Sequence, residues 1–458
     1  MTSDLTALPR PERAAPKPTL RREIFVLAWP AVLELVLNML SWMAGVAMVG
    51  RLGANALSAT GFSGEIFWAS IFFVGGIGVA VTAIVSRRVG AGDPAAAGRE
   101  GAQGILPALG AGLVIGAGVY FVAPGIFHLT NLGPEASGIG VTYLRTLCVG
   151  APILTTTMAM SGILRGFGDT RTPMVISVVS IILGIASGYA LIFGRFGLPA
   201  LGARGAALAN VGGEAVALLL TVLVVFGGGH RAGLRAAWMF RVEKRVLSSI
   251  VGLGLPASLE SFFIDLGRAA GMFAVASLGA LAVAGHEVTA VTESLSFMPG
   301  YGFAMATTIL VGQSLGAGDP VKAKAAVAAT ARLSVLLMGL MAVVFLLFPR
   351  ALVSIFTNDP EIIDLAARCL RVAAFAQPFI ALEGVYAGAL RGAGDTRSPM
   401  LVSGTVSWGC RVALTYVVIF VLHLPLPWVW GVMVLDWGLK ALFLYLVFKR
   451  GRWQVIKV

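Results

Sequence analysis

Residues 164–174 read Leu-Arg-Gly-Phe-Gly-Asp-Thr-Arg-Thr-Pro-Met, and residues 390–400 read Leu-Arg-Gly-Ala-Gly-Asp-Thr-Arg-Ser-Pro-Met. The second copy starts 226 positions after the first. The same offset relates Gly90-Ala91-Gly92-Asp93-Pro94 to Gly316-Ala317-Gly318-Asp319-Pro320, and Leu144-Arg145 to Leu370-Arg371. It also pairs Pro30 with Pro256, Glu34 with Glu260, and Pro152 with Pro378. The chain is therefore a duplicated unit with almost no net insertion, and must fold as the same unit twice. In a membrane protein such a repeat implies two bundles with a substrate site between them.

Composition decides where such a unit can live. The 458 residues are 57% hydrophobic and only 12% charged, with a mean hydropathy of +0.88. A water-soluble domain needs a more polar surface, whereas lipid solvates the outer faces of spanning helices. The 58 glycines then read as close helix packing and bends. A net charge of +12 would suggest nucleic acid, but Arg and Lys are scattered through short loops and form no basic domain. Cys148, Cys369 and Cys410 lie in apolar segments without paired spacing, which leaves packing as their role and excludes a disulfide framework or Cys-rich metal site.

Twelve apolar stretches are long enough to cross a bilayer: 24–48, 56–86, 102–124, 138–162, 173–195, 203–227, 247–276, 282–313, 326–349, 363–388, 399–422 and 427–448. Basic residues concentrate in alternate loops and in the tails, which puts both termini in the cytoplasm. Six spans per copy is an even number, so both copies enter the membrane from the same side. The expected fold is an all-α integral membrane protein. Its twelve transmembrane helices form two parallel six-helix lobes, related by a pseudo-two-fold axis along the membrane normal. Residues 1–22 read as a disordered cytoplasmic tail lacking the apolar core of a signal peptide. The lobes are 23–227 and 247–449, joined by a basic cytoplasmic linker at 228–246 and followed by a cytoplasmic tail at 450–458.

The repeated motifs carry turn chemistry. Gly adopts the left-handed conformation that ends a helix, Asp caps the next one, and Pro173 and Pro399 fit a first helical turn. They are either structural turns with topogenic arginines or gates that move during transport. No Lys-Ser or Lys-Thr follows the glycines, so a phosphate loop and ATP coupling are not indicated. Pro30 and Pro256 each remove a backbone hydrogen bond inside a first span, as a static kink or as a hinge.

Charges inside the spans are costly and point to function or to pairing. Glu34 and Glu260 are the repeated pair, and Asp265 stands three residues before Arg268 on one helical face. Glu34, Glu260 and Asp265 are the candidates for cation coupling. Glu293, Glu383, Arg411, Phe263 and Tyr301 are the candidates for the substrate cleft. Glu65, Glu214, His286, Glu287 and Asp436 complete the intramembrane set. Carboxylates with aromatic faces attract organic cations, and protonating a carboxylate releases one.

Leu27-Ala28-Trp29-Pro30, Met48-Val49-Gly50-Arg51-Leu52-Gly53, both Gly-Ala-Gly-Asp turns and both Arg-Gly-x-Gly-Asp-Thr-Arg turns resemble the multidrug and toxic compound extrusion (MATE) family. Val311-Gly312-Gln313 and Gly451-Arg452-Trp453 extend the resemblance over nearly the whole chain, and the bacterial DinF-like branch is the most similar. The resemblance implies twelve spans, an outward-facing cleft and antiport of organic cations against H+ or Na+. One position departs. An Asp common in span 1 of such proteins is Gly45 here, with Gly271 as its second-lobe equivalent.

The expectation is a secondary exporter in the bacterial inner membrane, exchanging H+ or Na+ for cationic or amphiphilic compounds by alternating access. It would need membrane lipid, no further cofactor and no nucleic acid, and one chain suffices as a monomer. The rivals are a lipid-linked oligosaccharide flippase of the same wider superfamily, a narrow-specificity metabolite exporter and an intramembrane enzyme. No metal-ligand spacing or nucleophile–base set supports the enzyme.

Overall fold

A computed structural model describes residues 19–130, 132–228 and 233–456, the side chains of Phe72 and Phe73 excepted. Most of the expected N-terminal tail, part of the linker and those two rings lie outside the described residues. The described residues are mostly helical, with no strand among them.

The first lobe holds α1 (Leu20–Gly50), α2 (Ala54–Gly90), α3 (Pro94–Ala102), α4 (Ile105–His128), α5 (Pro134–Gly166), α6 (Arg171–Phe193) and α7 (Gly202–Phe226). The second opens with α8 (Lys244–Ala276), α9 (Ala280–Gly316), α10 (Pro320–Leu347) and the short α11 (Pro349–Val353). It closes with α12 (Pro360–Ala373), α13 (Gln377–Gly392), α14 (Arg397–Val406), α15 (Ala413–Tyr416) and α16 (Leu426–Lys449). Eleven helical segments are long and apolar enough to span, and α2, bent by 41° between Ile71 and Val74, makes twelve. Phe121, Phe273 and Leu336 stand exposed on the outside of the bundle, as lipid contact allows.

Three details differ from the expected spans. Span 3 is preceded by the separate helix α3. Span 10 is interrupted by a 3-10 turn, Ala374–Ala376, just before Pro378. Span 11 contains two π-helical stretches, Ser407–Val412 and Val417–Val421, the first carrying Arg411. Pro30 and Pro256 both sit inside unbroken helices.

The repeated turns behave as their chemistry dictates. Gly92, Gly318, Gly168 and Gly394 all have φ between 71° and 86°. Asp93 accepts from the Ala96 amide at 2.8 Å, and Asp319 from the Lys322 amide at 2.7 Å. Asp169 and Asp395 likewise cap the starts of α6 and α14.

The two copies interlock. Within each lobe α2 packs on α5 and α9 on α13, and α1 packs on α6 and α8 on α14. Across the lobes α1 packs on α9 and α2 on α8. These crossings need glycine: a Cβ on Gly76 would lie 2.1 Å from the Gly254 carbonyl oxygen, and one on Gly302 would lie 2.4 Å from Cγ2 of Val32.

The start of α1 and the segment after α16 lie at one end of the bundle, the terminus-bearing end. Glu23 at the start of α1 is 3.5 Å from Lys322 at the start of α10. The segment after α16 is docked: Trp453 is buried, stacks on Phe448 at 4.7 Å and donates to the Phe448 carbonyl at 2.8 Å. Arg87 of α2 donates to the Ile456 carbonyl at 2.5 Å.

Candidate functional site

The first lobe encloses a cavity of about 540 Å³, within the usual range for small-ligand sites. Its α1 wall runs from Asn38 to Val49 along the face Asn38, Ser41, Trp42 and Gly45, at helical spacing. That is the half of the lobe away from the termini. Glu65 comes from α2 and Glu214 from α7, with Trp42, Phe67, Trp68 and Tyr143 supplying aromatic surface. Tyr143 is hydrogen-bonded with Asn210 on the wall. No Arg or Lys is among the described residues that line it. Gly45, where an Asp was expected by resemblance, opens onto this cavity, and a Cβ there would meet nothing within 4 Å.

Glu34, Glu260, Asp265, Glu293, Glu383, Arg411, Phe263 and Tyr301 do not line this space, whereas Glu65 and Glu214 of the intramembrane set do. Glu34 lies one turn beyond Asn38 on the same face of α1, toward the terminus-bearing end. It is 2.8 Å from Arg165 at the end of α5 and accepts from Ser177 of α6 at 3.4 Å. Glu260 repeats this in the second lobe, 2.8 Å from Arg391 and accepting from Ser403 at 3.0 Å. The two clusters are one constellation at the 226-residue offset. Arg165 and Arg391, read from the sequence as loop charges, are helical residues turned inward onto these carboxylates. The serines carried no signal of their own, but all three positions follow the repeat and were findable from it.

The other second-lobe candidates scatter among separate contacts. Asp265 is ion-paired with Arg268 one turn along α8. Glu293 is 3.4 Å from the Gln377 amide nitrogen, and that amide's oxygen accepts from Ser296 at 2.7 Å. Glu383 lies within electrostatic reach of Arg391 and Glu260, and Tyr301 within reach of Arg391. Arg411 is within reach of Glu293 and His286. The Phe263 carbonyl accepts from the Trp408 indole at 3.2 Å. His286 is buried beside Trp430, and its Nδ1 has no protein partner.

At the positions equivalent to part of the cavity wall, the second lobe holds a buried ion pair. Asp436 and Lys440 occupy the positions equivalent to Asn210 and Glu214. They form a fully buried ion pair at 2.8 Å, with the ammonium 4.8 Å from the Trp437 ring centre. Sequence reading weighted the second lobe for its many charges. The structure shows many of those charges satisfying one another.

Comparison with known proteins agrees with this architecture. The MatE family model matches twice, over residues 30–190 and 256–417, and the two matches start 226 positions apart. A probable multidrug resistance protein NorM from Thermotoga maritima is 32% identical over 443 residues, covering 95% of this chain and 94% of that one. The multidrug resistance protein PmpM from Pseudomonas aeruginosa is 28% identical, covering 86% and 83%. Among solved structures, a MOP-superfamily transporter from Pyrococcus furiosus superposes with a TM-score of 0.89 at 22% identity, covering 95% of this chain and 96% of that one. An outward-facing multidrug-resistance MATE transporter gives 0.87 at 22% identity, covering 96% and 97%. With both halves matched in register and the two-lobed bundle in place, the chain belongs to the MatE family of multidrug and toxic compound extrusion transporters.

Proposed function

We propose that the protein exports cationic or amphiphilic organic compounds across the bacterial inner membrane, as a monomer with both termini in the cytoplasm. H+ or Na+ moves in exchange, by alternating access. The observation that carries this reading is the lining of the first-lobe cavity: two carboxylates, four aromatic rings and no basic side chain. An organic cation is held by such a surface through charge and ring faces together. A pyrophosphate-linked lipid is repelled by it, which sets the flippase reading behind. Glu214 and Glu65 take the substrate cation in this scheme. Glu34, Glu260 and Asp265 remain the coupling carboxylates, with Glu34 one helical turn from the cavity wall.

The test is ethidium efflux from proteoliposomes, with a pH gradient and a Na+ gradient imposed separately. One gradient is expected to drive transport. Glu214→Gln should lower the apparent affinity about tenfold or more, the effect of losing a charge-assisted contact. No efflux under either gradient would refute the exporter and bring a narrow metabolite exporter or the flippase forward.

A further inference from the structure

The lobes meet most tightly at the terminus-bearing end. A Cβ on Gly90 of α2 would stand 1.9 Å from the Gln313 carbonyl oxygen of α9. The reciprocal Cβ on Gly316 would stand 2.0 Å from the Arg87 carbonyl oxygen. Backbone therefore lies on backbone, and this seam must part before that end can open. Besides the Arg87 bond to the Ile456 carbonyl, two side-chain bonds among the described residues tie this seam to the repeated turns. Gln313 donates to the Gly166 carbonyl of the first lobe at 3.1 Å. Arg87, its equivalent in the repeat, donates to the Ala393 carbonyl of the second lobe at 3.2 Å.

Both accepting carbonyls belong to the Leu-Arg-Gly-x-Gly-Asp turns. Gly166 directly follows Arg165, and Ala393 stands two residues after Arg391. Each arginine is thus tied at its tip to a carboxylate on the first helix of its lobe, and through its backbone to the seam. The arginines are about one-fifth exposed, and Nε of Arg165 is buried without a protein partner. Such a guanidinium depends on the carboxylate it touches, because a buried charge whose partner is lost is a costly state.

We propose that Arg165 and Arg391 are positioning residues of a two-part latch at this seam, closed while Glu34 and Glu260 are charged and released when either carboxylate is neutralised. The groups facing Glu34 are Arg165 and Ser177, with Glu214 of the cavity wall within electrostatic reach. Those facing Glu260 are Arg391 and Ser403, with Glu383 within reach. A cation taking either carboxylate must displace the arginine. Filling of the first lobe's cavity is felt one helical turn away, at Glu34. The latch deepens the exporter reading by supplying the link from an occupied carboxylate to a moving seam, but its geometry stands without that reading.

The experiment reads the seam directly. Ala95 and Val321 are equivalent in the repeat, exposed, and at the first turns of α3 and α10. Spin labels on Ala95→Cys and Val321→Cys, with the three native cysteines buried, report the separation by double electron–electron resonance in nanodiscs. Glu34→Gln and Glu260→Gln are each expected to raise the open-to-closed ratio about tenfold, the lower end for a charge-assisted bond. The double variant should exceed either. Exchanging the pair, Glu34→Arg with Arg165→Glu, should restore the closed distribution. Asp364→Asn, which breaks the exposed pair with Arg350, should leave the distribution unchanged. Unchanged distances in both folded Gln variants would overturn the latch, as would an equal response to Asp364→Asn. If the exchanged pair does not fold, the near-isosteric Gln variants decide alone. A wild-type protein that moves no ethidium, yet opens in the Gln variants, would discard the exporter and keep the latch.

Discussion

Single residues show how differently the same position is used in the two lobes. Glu214 faces the cavity with Asn210 one turn away, whereas Lys440 and Asp436 at the equivalent positions pair with each other in the buried interior. Removing one member of a buried pair strands the other charge. Lys440→Met is expected to destabilise the protein by about 3–5 kcal/mol, whereas Lys440→Met with Asp436→Leu should be close to neutral. Thermal unfolding in detergent separates these outcomes, and equal losses in both variants would show that the pair adds stability of its own. The pair is visible in the sequence as an acid and a base four residues apart. Glu34 and Glu260 were legible because they repeat. Their arginine partners were misread as loop charges, because sequence gives the end of a helix poorly and the direction of a long side chain not at all. The cavity was the least legible feature. It arises where glycines and small residues of five helices leave space, and no local pattern records an absence of side-chain volume.

At the scale of the element, helices and turns followed from apolar run length and from Gly-Asp chemistry, and the left-handed glycines confirm the turns. The expected spans matched wherever nothing interrupts the helix. Span 4 runs straight through Pro152, but span 10 breaks before Pro378. The difference lies in the preceding residue: Gln377 donates to the Ala373 carbonyl at 3.3 Å and accepts from Ser296, so its amide takes up helix-end bonding that Ala151 cannot. Glycine use divides by contact. Gly90→Ala forces α2 off the α9 backbone and is expected to lower stability by about 1–3 kcal/mol. Gly110→Ala, where a Cβ meets nothing within 4 Å, should be neutral or stabilising by up to about 1 kcal/mol. Melting temperatures of the two variants measure the contrast, and equal shifts would sink the steric account.

At the scale of the whole molecule, the chain end belongs to the architecture. Trp453 is packed among α10, α13 and α16 residues, and its segment hands the Ile456 carbonyl to Arg87 in the other lobe. Trp453→Ala should cost about 3–5 kcal/mol, as for other buried aromatics, and raise hydrogen–deuterium exchange over 450–456. Unaltered exchange there would mean that the segment is held by something other than its ring. From the sequence, 450–458 reads as a cytoplasmic tail, because a short stretch after the last span looks the same whether docked or free.

The glycine crossings carry one more consequence. Gly76 seats against Gly254 and Ser258, while Gly302 seats against Ala28 and Val32, so each patch meets the copy of its own partner. That reciprocity is the geometry of an isologous homodimer. An ancestral six-helix chain would have assembled with a second copy of itself through this surface, both subunits in one orientation. In one chain the halves need not stay identical, and here one lines a cavity where the other holds an internal salt bridge.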